Sequence, residues 1–419
     1  MKRFVLDNGV RVVLEPNSTV RSVALGIWIN TGSRYEKAEE NGMAHFIEHM
    51  FFKGTKKRSA KEIAEAFDSV GGYVNAMTSK EYTSYYAKVL DTHAETALDI
   101  LADMFFNSEF KKEEMRKEKQ VVLEEIYMYE DAPDDLVHEL LAEAAYGSDP
   151  LASPILGTEE TLNSFTKEKL HQFMKEHYGA DQVVISAAGN IDESFVESVE
   201  SYFGHLEKGR AFENQPKPVF RSGQTVRKKQ TEQAHFCLGY EGYALGDEKM
   251  YALVLMNNVL GGNMSSRLFQ EVRENKGLAY AIFSYHEAFR DTGILTVYAG
   301  TQEKYLDEVY DITAAAIYDI SRNGITDKEL RNAKEQLKGS LLLSLENTNS
   351  HMSRNAKNEL LKDHRSIDEV VEKIEAVSME KIKEVSRDLL SKEPAVSLVS
   401  TSGILPVSLR NTTGELEKR

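Results

Sequence analysis

Two short apolar runs, Arg3–Leu6 and Val10–Leu14, flank Asp7-Asn8-Gly9, and the tight-turn chemistry of that tripeptide predicts a β-hairpin at the start of the chain. The apolar stretch Ser22–Gly32 predicts a strand, Gly42–Phe52 an apolar helix and Ala60–Val70 a second helix. Gly71-Gly72 then turns the chain into Tyr73–Thr78 and Glu81–Val89, which read as two paired strands. Long helical periodicity follows over about 92–106, 111–129 and 134–146. A Gly/Pro-rich loop over Tyr146–Gly157, a further helix and the strand Gln182–Gly189 complete the half. Strand-rich and helix-rich stretches are segregated, which predicts an α+β fold rather than a doubly wound sheet.

The stretch 209–224 is polar and carries two prolines, Pro216 and Pro218, so it reads as a linker between a domain over 1–208 and another over 225–419. The second half repeats the first in order. Ala234–Gly242 parallels the strand over 24–32, and Met250–Gly262 parallels the apolar helix. Thr292–Gly300 parallels the strand over 82–89, Thr326–Leu341 the helix over 111–126, and Ala395–Gly403 the strand over 183–191. Two homologous domains are expected, each a mostly antiparallel sheet packed with helices.

The net charge of −16 on 419 residues makes the chain a poor nucleic-acid binder, since phosphates need basic patches, and no nucleic-acid partner is expected. A single cysteine, Cys237, rules out an intrachain disulfide and a cysteine-based zinc site, and fits a reducing, cytoplasmic setting. The opening hairpin lacks the apolar core of a signal peptide. No apolar run approaches the ~18–20 residues of a membrane span.

One copy of the repeat carries chemistry that the other lacks. His45, Glu48 and His49 form H-x-x-E-H within the apolar helix. Positions i and i+4 share a helix face, so both imidazoles can clamp one ion while Glu48 reaches a water on it. Two satisfied helix histidines would leave the same pattern. A catalytic site needs a third protein ligand. Met115, Glu118, Val122, Glu125 and Tyr129 form one stripe of a later helix, which places two carboxylates on a face that should be buried. Buried carboxylates call for a partner or a metal. At constant offset Glu118 matches Ala333 and Glu125 matches Ser340, and Met250–Leu260 holds neither His nor Glu. Core packing does not require these polar groups to vanish together from one copy; a metal site in the other copy does.

The segments H-F-I-E-H (45–49) and E-K-Q-V-V-L-E-E (118–125), with the repeat, make the chain resemble the pitrilysin and insulinase family of zinc peptidases. It is most like the branch containing the mitochondrial processing peptidase and its bacterial relatives. The resemblance implies one Zn2+ per chain held by His45, His49 and Glu125, with Glu48 as general base and Glu118 supporting the site. It implies that Arg273 and Tyr280, in Ser265–Tyr280, hold substrate and stabilise a developing oxyanion. It implies that Tyr73–Thr78 is an edge strand on which a peptide adds, Asn75 and Ala76 facing its backbone. Gly261-Gly262 stand where noncatalytic subunits carry a longer glycine-rich loop, and here read as a turn. Family members enclose peptides in a chamber of four such domains, so a homodimer is expected, with Arg273 and Tyr280 serving the partner's zinc. The implied activity is metalloendopeptidase cleavage of peptides or unfolded, presequence-like segments. The alternative is a noncatalytic structural subunit, the fate of relatives that lost the ligands.

Overall fold

The computed structural model describes residues 1–209 and 216–410, so most of the expected linker's first half, 210–215, lies outside the described residues. The chain forms two compact units. The first comprises Met1–Tyr127, Ser153 to the end of the first described stretch, and Leu342–His364; the second comprises Met128–Ala152, Pro216–Leu341, and Arg365 onward.

The first unit is built on six strands: β1 (Lys2–Val5), β2 (Arg11–Pro16), β3 (Ser22–Ile29), β4 (Tyr73–Thr78), β5 (Thr83–Leu90) and β6 (Val183–Gly189). Their order across the sheet is β1-β2-β6-β3-β5-β4, which leaves β4 at an edge. β2 and β6 run parallel and all other neighbours are antiparallel. The second unit has β7 (Gln224–Lys228), β8 (Ala234–Glu241), β9 (Ala279–Ala288), β10 (Gly293–Thr301) and β11 (Ala395–Ser400), in the order β7-β11-β8-β10-β9. Without β1 the two orders coincide strand for strand, including the one parallel pair, β7 with β11. The faint sequence repeat is therefore a duplicated α+β fold. Pattern reading did not assign β7 or β9 as strands: β7 is mostly polar, and β9 mixes exposed and buried positions irregularly.

The central strands are buried on both faces. In β3, Val23, Leu25, Ile27 and Ile29 face the main core, while Ala24 and Trp28 face a second cluster with Met352, Ala356 and Leu360. Those last three lie on the helix Thr348–Leu361, which comes from the second half of the sequence. Trp28 Nε1 donates to Met352 Sδ at 3.2 Å, and Ser186 Oγ donates to the Met352 carbonyl at 2.8 Å. The second unit is covered in the reciprocal way. Val137, Leu140 and Leu141 of the helix Pro133–Tyr146 pack with Cys237, Tyr298 and Val399 on the outer face of its sheet. The contiguous division at 208 and 225 thus fails for two helices. A sheet with apolar side chains on both faces needs helices on both. In each unit the second face is covered by a helix from the other half of the chain.

Candidate metal centre and active site

The helix Met43–Phe51 carries His45, Glu48 and His49. It starts at Gly42, whose φ of +90° and close approach to the Leu156 carbonyl, 2.6 Å from where a Cβ would stand, admit only glycine. Gly42 offers no side-chain cap, and the buried Glu36 supplies one. Its carboxylate accepts the Gly42 and Ala44 amides, both at 2.7 Å, and the Asn41 side chain at 3.3 Å. A carboxylate there satisfies first-turn N–H groups and meets the positive end of the helix dipole. Burial pushes the Glu36 carboxyl up to about 8, against the three donors that pull it down. The loop before the helix is fastened by the buried ion pair of Arg34 with Glu81, 2.6 Å, and by the Arg34 amide on the Lys80 carbonyl, 2.8 Å.

The second helix, Lys112–Asp131, contributes Glu118 and Glu125, and the structure separates their roles. Glu125 Oε2 lies 3.8 Å from His45 Nε2 and 3.6 Å from His49 Nε2. These three residues are the one His/Cys/Asp/Glu group among the described residues with metal-binding geometry, their ligand atoms within 4.8 Å of one another. Glu118 sits behind them: its Oε1 is 2.8 Å from His49 Nδ1, and its Oε2 is 2.7 Å from Lys53 Nζ. The two imidazole rings have centroids 4.6 Å apart.

Glu125 Oε2 and His45 Nδ1 are buried without a hydrogen-bond partner. A buried carboxylate oxygen facing two imidazole nitrogens, and otherwise unsatisfied, is an arrangement that a cation resolves. Ligands ~2.0–2.1 Å from one tetrahedral ion stand roughly 3.3 Å apart, close to the spacings seen, and two imidazoles with one carboxylate are a donor set that zinc takes. The residues fit the metal. Burial, and then the neighbouring His49, lower the His45 pKa to about 3, which keeps its imidazole neutral as a ligand must be. Burial pulls His49 down too, but the hydrogen bond and charge of Glu118, with Glu125 and Glu48, outweigh it and its pKa rises.

Glu48 is held beside this group. Burial raises its carboxyl pKa, and a hydrogen bond from Thr78 and the nearby His49 oppose the rise. Thr78 ends β4, and its hydroxyl donates to Glu48 Oε2. Asn75 and Ala76 lie on the same edge strand, with Asn75 Nδ2 on the Tyr73 hydroxyl at 2.8 Å and the Ala76 amide on Asn75 Oδ1 at 2.9 Å. In the second unit Arg273 and Tyr280 form a pair of their own. The Arg273 guanidinium lies over the rings of Phe269, 4.8 Å, and Tyr280, 4.6 Å, and Tyr280 is 76% exposed. Arg273 rides on a π-helical turn, Phe269–Asn275, a geometry that recurs at functional sites.

Three residues here had escaped the sequence reading: Glu36, Lys53 and Thr78. Lys53 stands four after His49, so helical spacing contains a signal for it. Glu36 and Thr78 reach the helix through tertiary contacts that no local spacing encodes.

H-x-x-E-H on one helix, with a third ligand from a second helix in one half of a duplicated α+β fold, is the ligand arrangement of the inverted zincin class. Comparison with known proteins agrees. The family described as Insulinase (Peptidase family M16) matches residues 11–159, and the one described as Peptidase M16 inactive domain matches residues 164–337. An uncharacterised zinc protease of Bacillus subtilis is 57% identical over 97% of this chain and 100% of its own length. An uncharacterised zinc protease of Streptomyces coelicolor is 41% identical over 95% of this chain and 89% of its own. The crystal structure of a protease from Helicobacter pylori has the same fold, with a TM-score of 0.89 at 22% identity, covering 95% of this chain and 99% of that one. The chain belongs to the M16, or insulinase, peptidase family.

Proposed function

We propose that this protein is a zinc-dependent metalloendopeptidase. The observation that carries the reading is the unsatisfied Glu125 oxygen facing His45 and His49, with Glu48 held beside them. His45, His49 and Glu125 would hold one ion per chain. Such an ion, when bound, supplies Lewis acidity toward the scissile carbonyl and acidifies water. Glu48 then accepts a proton from the attacking water and returns it to the leaving nitrogen. Glu118 fixes the tautomer and orientation of His49 through Nδ1. The free edge of β4 takes the peptide as an added strand, which favours extended or unfolded segments over folded proteins. Arg273 and Tyr280 supply a cation and a phenol suited to hold substrate and to stabilise an oxyanion.

The active form we propose is a two-fold homodimer enclosing a peptide chamber, in which Arg273 and Tyr280 act on the partner's site. Peptide degradation and the trimming of presequence-like peptides both suit such a chamber. The one cysteine, Cys237, is buried and unpaired, which supports a reducing, cytoplasmic location. No helix among the described residues is long and apolar enough to cross a membrane. The presence of all three candidate ligands favours this reading over the noncatalytic alternative, a structural subunit that binds no zinc.

The reading is tested by stripping metal with a chelator and returning zinc. Peptide cleavage should vanish and recover; cleavage indifferent to both steps would refute it. The dimer is tested by mixing a His45→Ala/His49→Ala chain with an Arg273→Ala/Tyr280→Phe chain, each inactive alone. Action across the dimer restores cleavage in the mixture, and action within one chain does not.

A further inference from the structure

The strand proposed to receive substrate and the proposed general base meet at one residue. Thr78 is the last residue of β4, and its hydroxyl donates to Glu48 Oε2 at 2.5 Å. Two residues earlier the Ala76 N–H is bonded to the side chain of its own neighbour, Asn75. β4 has a strand, β5, on one side only. Along an antiparallel strand alternate residues turn their amide groups to the same side. Val74, Ala76 and Thr78 therefore share one side of β4. That side of β4 faces away from β5; at Ala76 its N–H rests on the Asn75 side chain, and at Thr78 the side-chain hydroxyl reaches Glu48.

We infer that Thr78 is a positioning residue for Glu48: it locks the base to the strand on which the peptide lies. A glutamate has three rotatable side-chain bonds, and base catalysis requires one of its oxygens within hydrogen-bond reach of the attacking water. The hydroxyl of Thr78 takes up Oε2 and leaves Oε1 to meet the reaction. A peptide pairing with β4 at Ala76 continues along the edge toward Thr78, so the bond to be cut and the base share one frame. A shift of β4 then moves both together. In a strand position of this exposure valine would serve equally well for packing; the hydroxyl serves Glu48.

This inference rests on the peptidase reading, and the test separates the two. Thr78→Val keeps shape and β-propensity and removes the hydroxyl, while Thr78→Ser restores it. Cleavage of a fluorogenic peptide, affinity for a noncleavable peptide, zinc content and Tm are measured for each, with Thr78→Ala as a second variant in case valine does not fold. Thr78→Val should lower kcat about 10–100-fold, part of the contribution a general base makes, with KM within about threefold. Peptide affinity and zinc content should hold, and Thr78→Ser should stay within about threefold of wild type. An unchanged kcat in Thr78→Val and Thr78→Ala, an equal loss in Thr78→Ser, or weakened peptide affinity would overturn the inference while leaving the peptidase standing. A wild type that cleaves no peptide overturns both.

Discussion

Replacing Glu118 by alanine tests how the metal group is supported. Glu118 is 4% exposed and joins His49 Nδ1, 2.8 Å, to Lys53 Nζ, 2.7 Å. The variant leaves a half-buried imidazole N–H without its acceptor, which costs about 1–3 kcal/mol. Losing the partner that orients a metal ligand costs about 10–100-fold in metal affinity, or about 1.4–2.7 kcal/mol. The two routes agree. Lys53 adds little, because its side chain is 30% exposed and its ammonium can return to water. A second effect opposes the first. Glu118 holds the His49 pKa above its ordinary value, and a protonated imidazole cannot bind metal. Zinc affinity of the wild type therefore falls as pH drops through that raised value, and the gap between wild type and Glu118→Ala narrows toward acid pH. The assay is competition with a chromogenic chelator at several pH values, with exposed Glu124→Ala as control. An affinity within about twofold of wild type at neutral pH would show that Glu118 is not part of the metal support.

Other consequences can be checked together. Gly42→Ala puts a Cβ into the Leu156 carbonyl and requires a positive φ, so it should cost more than about 1–3 kcal/mol of stability and lower zinc content with it, read by thermal unfolding and metal analysis. Met352→Ala, far along the chain from the metal ligands, should lose about 2–5 kcal/mol, because Met352 is fully buried against Trp28 in the first unit. An unfolding curve unchanged by Met352→Ala would refute the exchange of helices between the halves. In the second unit, the hydrogen bonds from Arg267, helped by the Thr326 amide and opposed by burial, hold Glu329 down to about 2. A depressed carboxyl contributes stability above its unfolded pKa and loses it as pH falls toward the folded value. Arg267→Met should therefore flatten the stability loss between about pH 4.5 and 2 in acid denaturation.

Much of the site was legible in the sequence because it lies on helices. Spacing alone put His45 beside His49 and aligned Glu118 with Glu125, since each pair obeys the period of one helix. Spacing did not distinguish the proposed third ligand, Glu125, from Glu118 behind it; that depends on which end of Lys112–Asp131 lies over which nitrogen. Thr78 and Glu36 were invisible for the same reason, as each contacts the His45 helix from a separate element. The fold shows a parallel limit. Apolar periodicity in 134–146 announced that the helix buries a face, but not that this face covers the second unit's sheet. The helix Thr348–Leu361, rich in polar residues, gave little apolar signal at all, yet Met352, Ala356 and Leu360 close the second face of the first sheet.

The central claim is that His45, His49 and Glu125 hold a catalytic metal for which Glu48 is the base. The most direct measurement is zinc content and peptide cleavage in wild type and Glu48→Gln, purified side by side. The account predicts about one zinc per chain in both, cleavage by wild type, and none above background in Glu48→Gln. Cleavage undiminished in Glu48→Gln, or wild-type protein that neither binds added zinc nor cleaves any peptide, would contradict it.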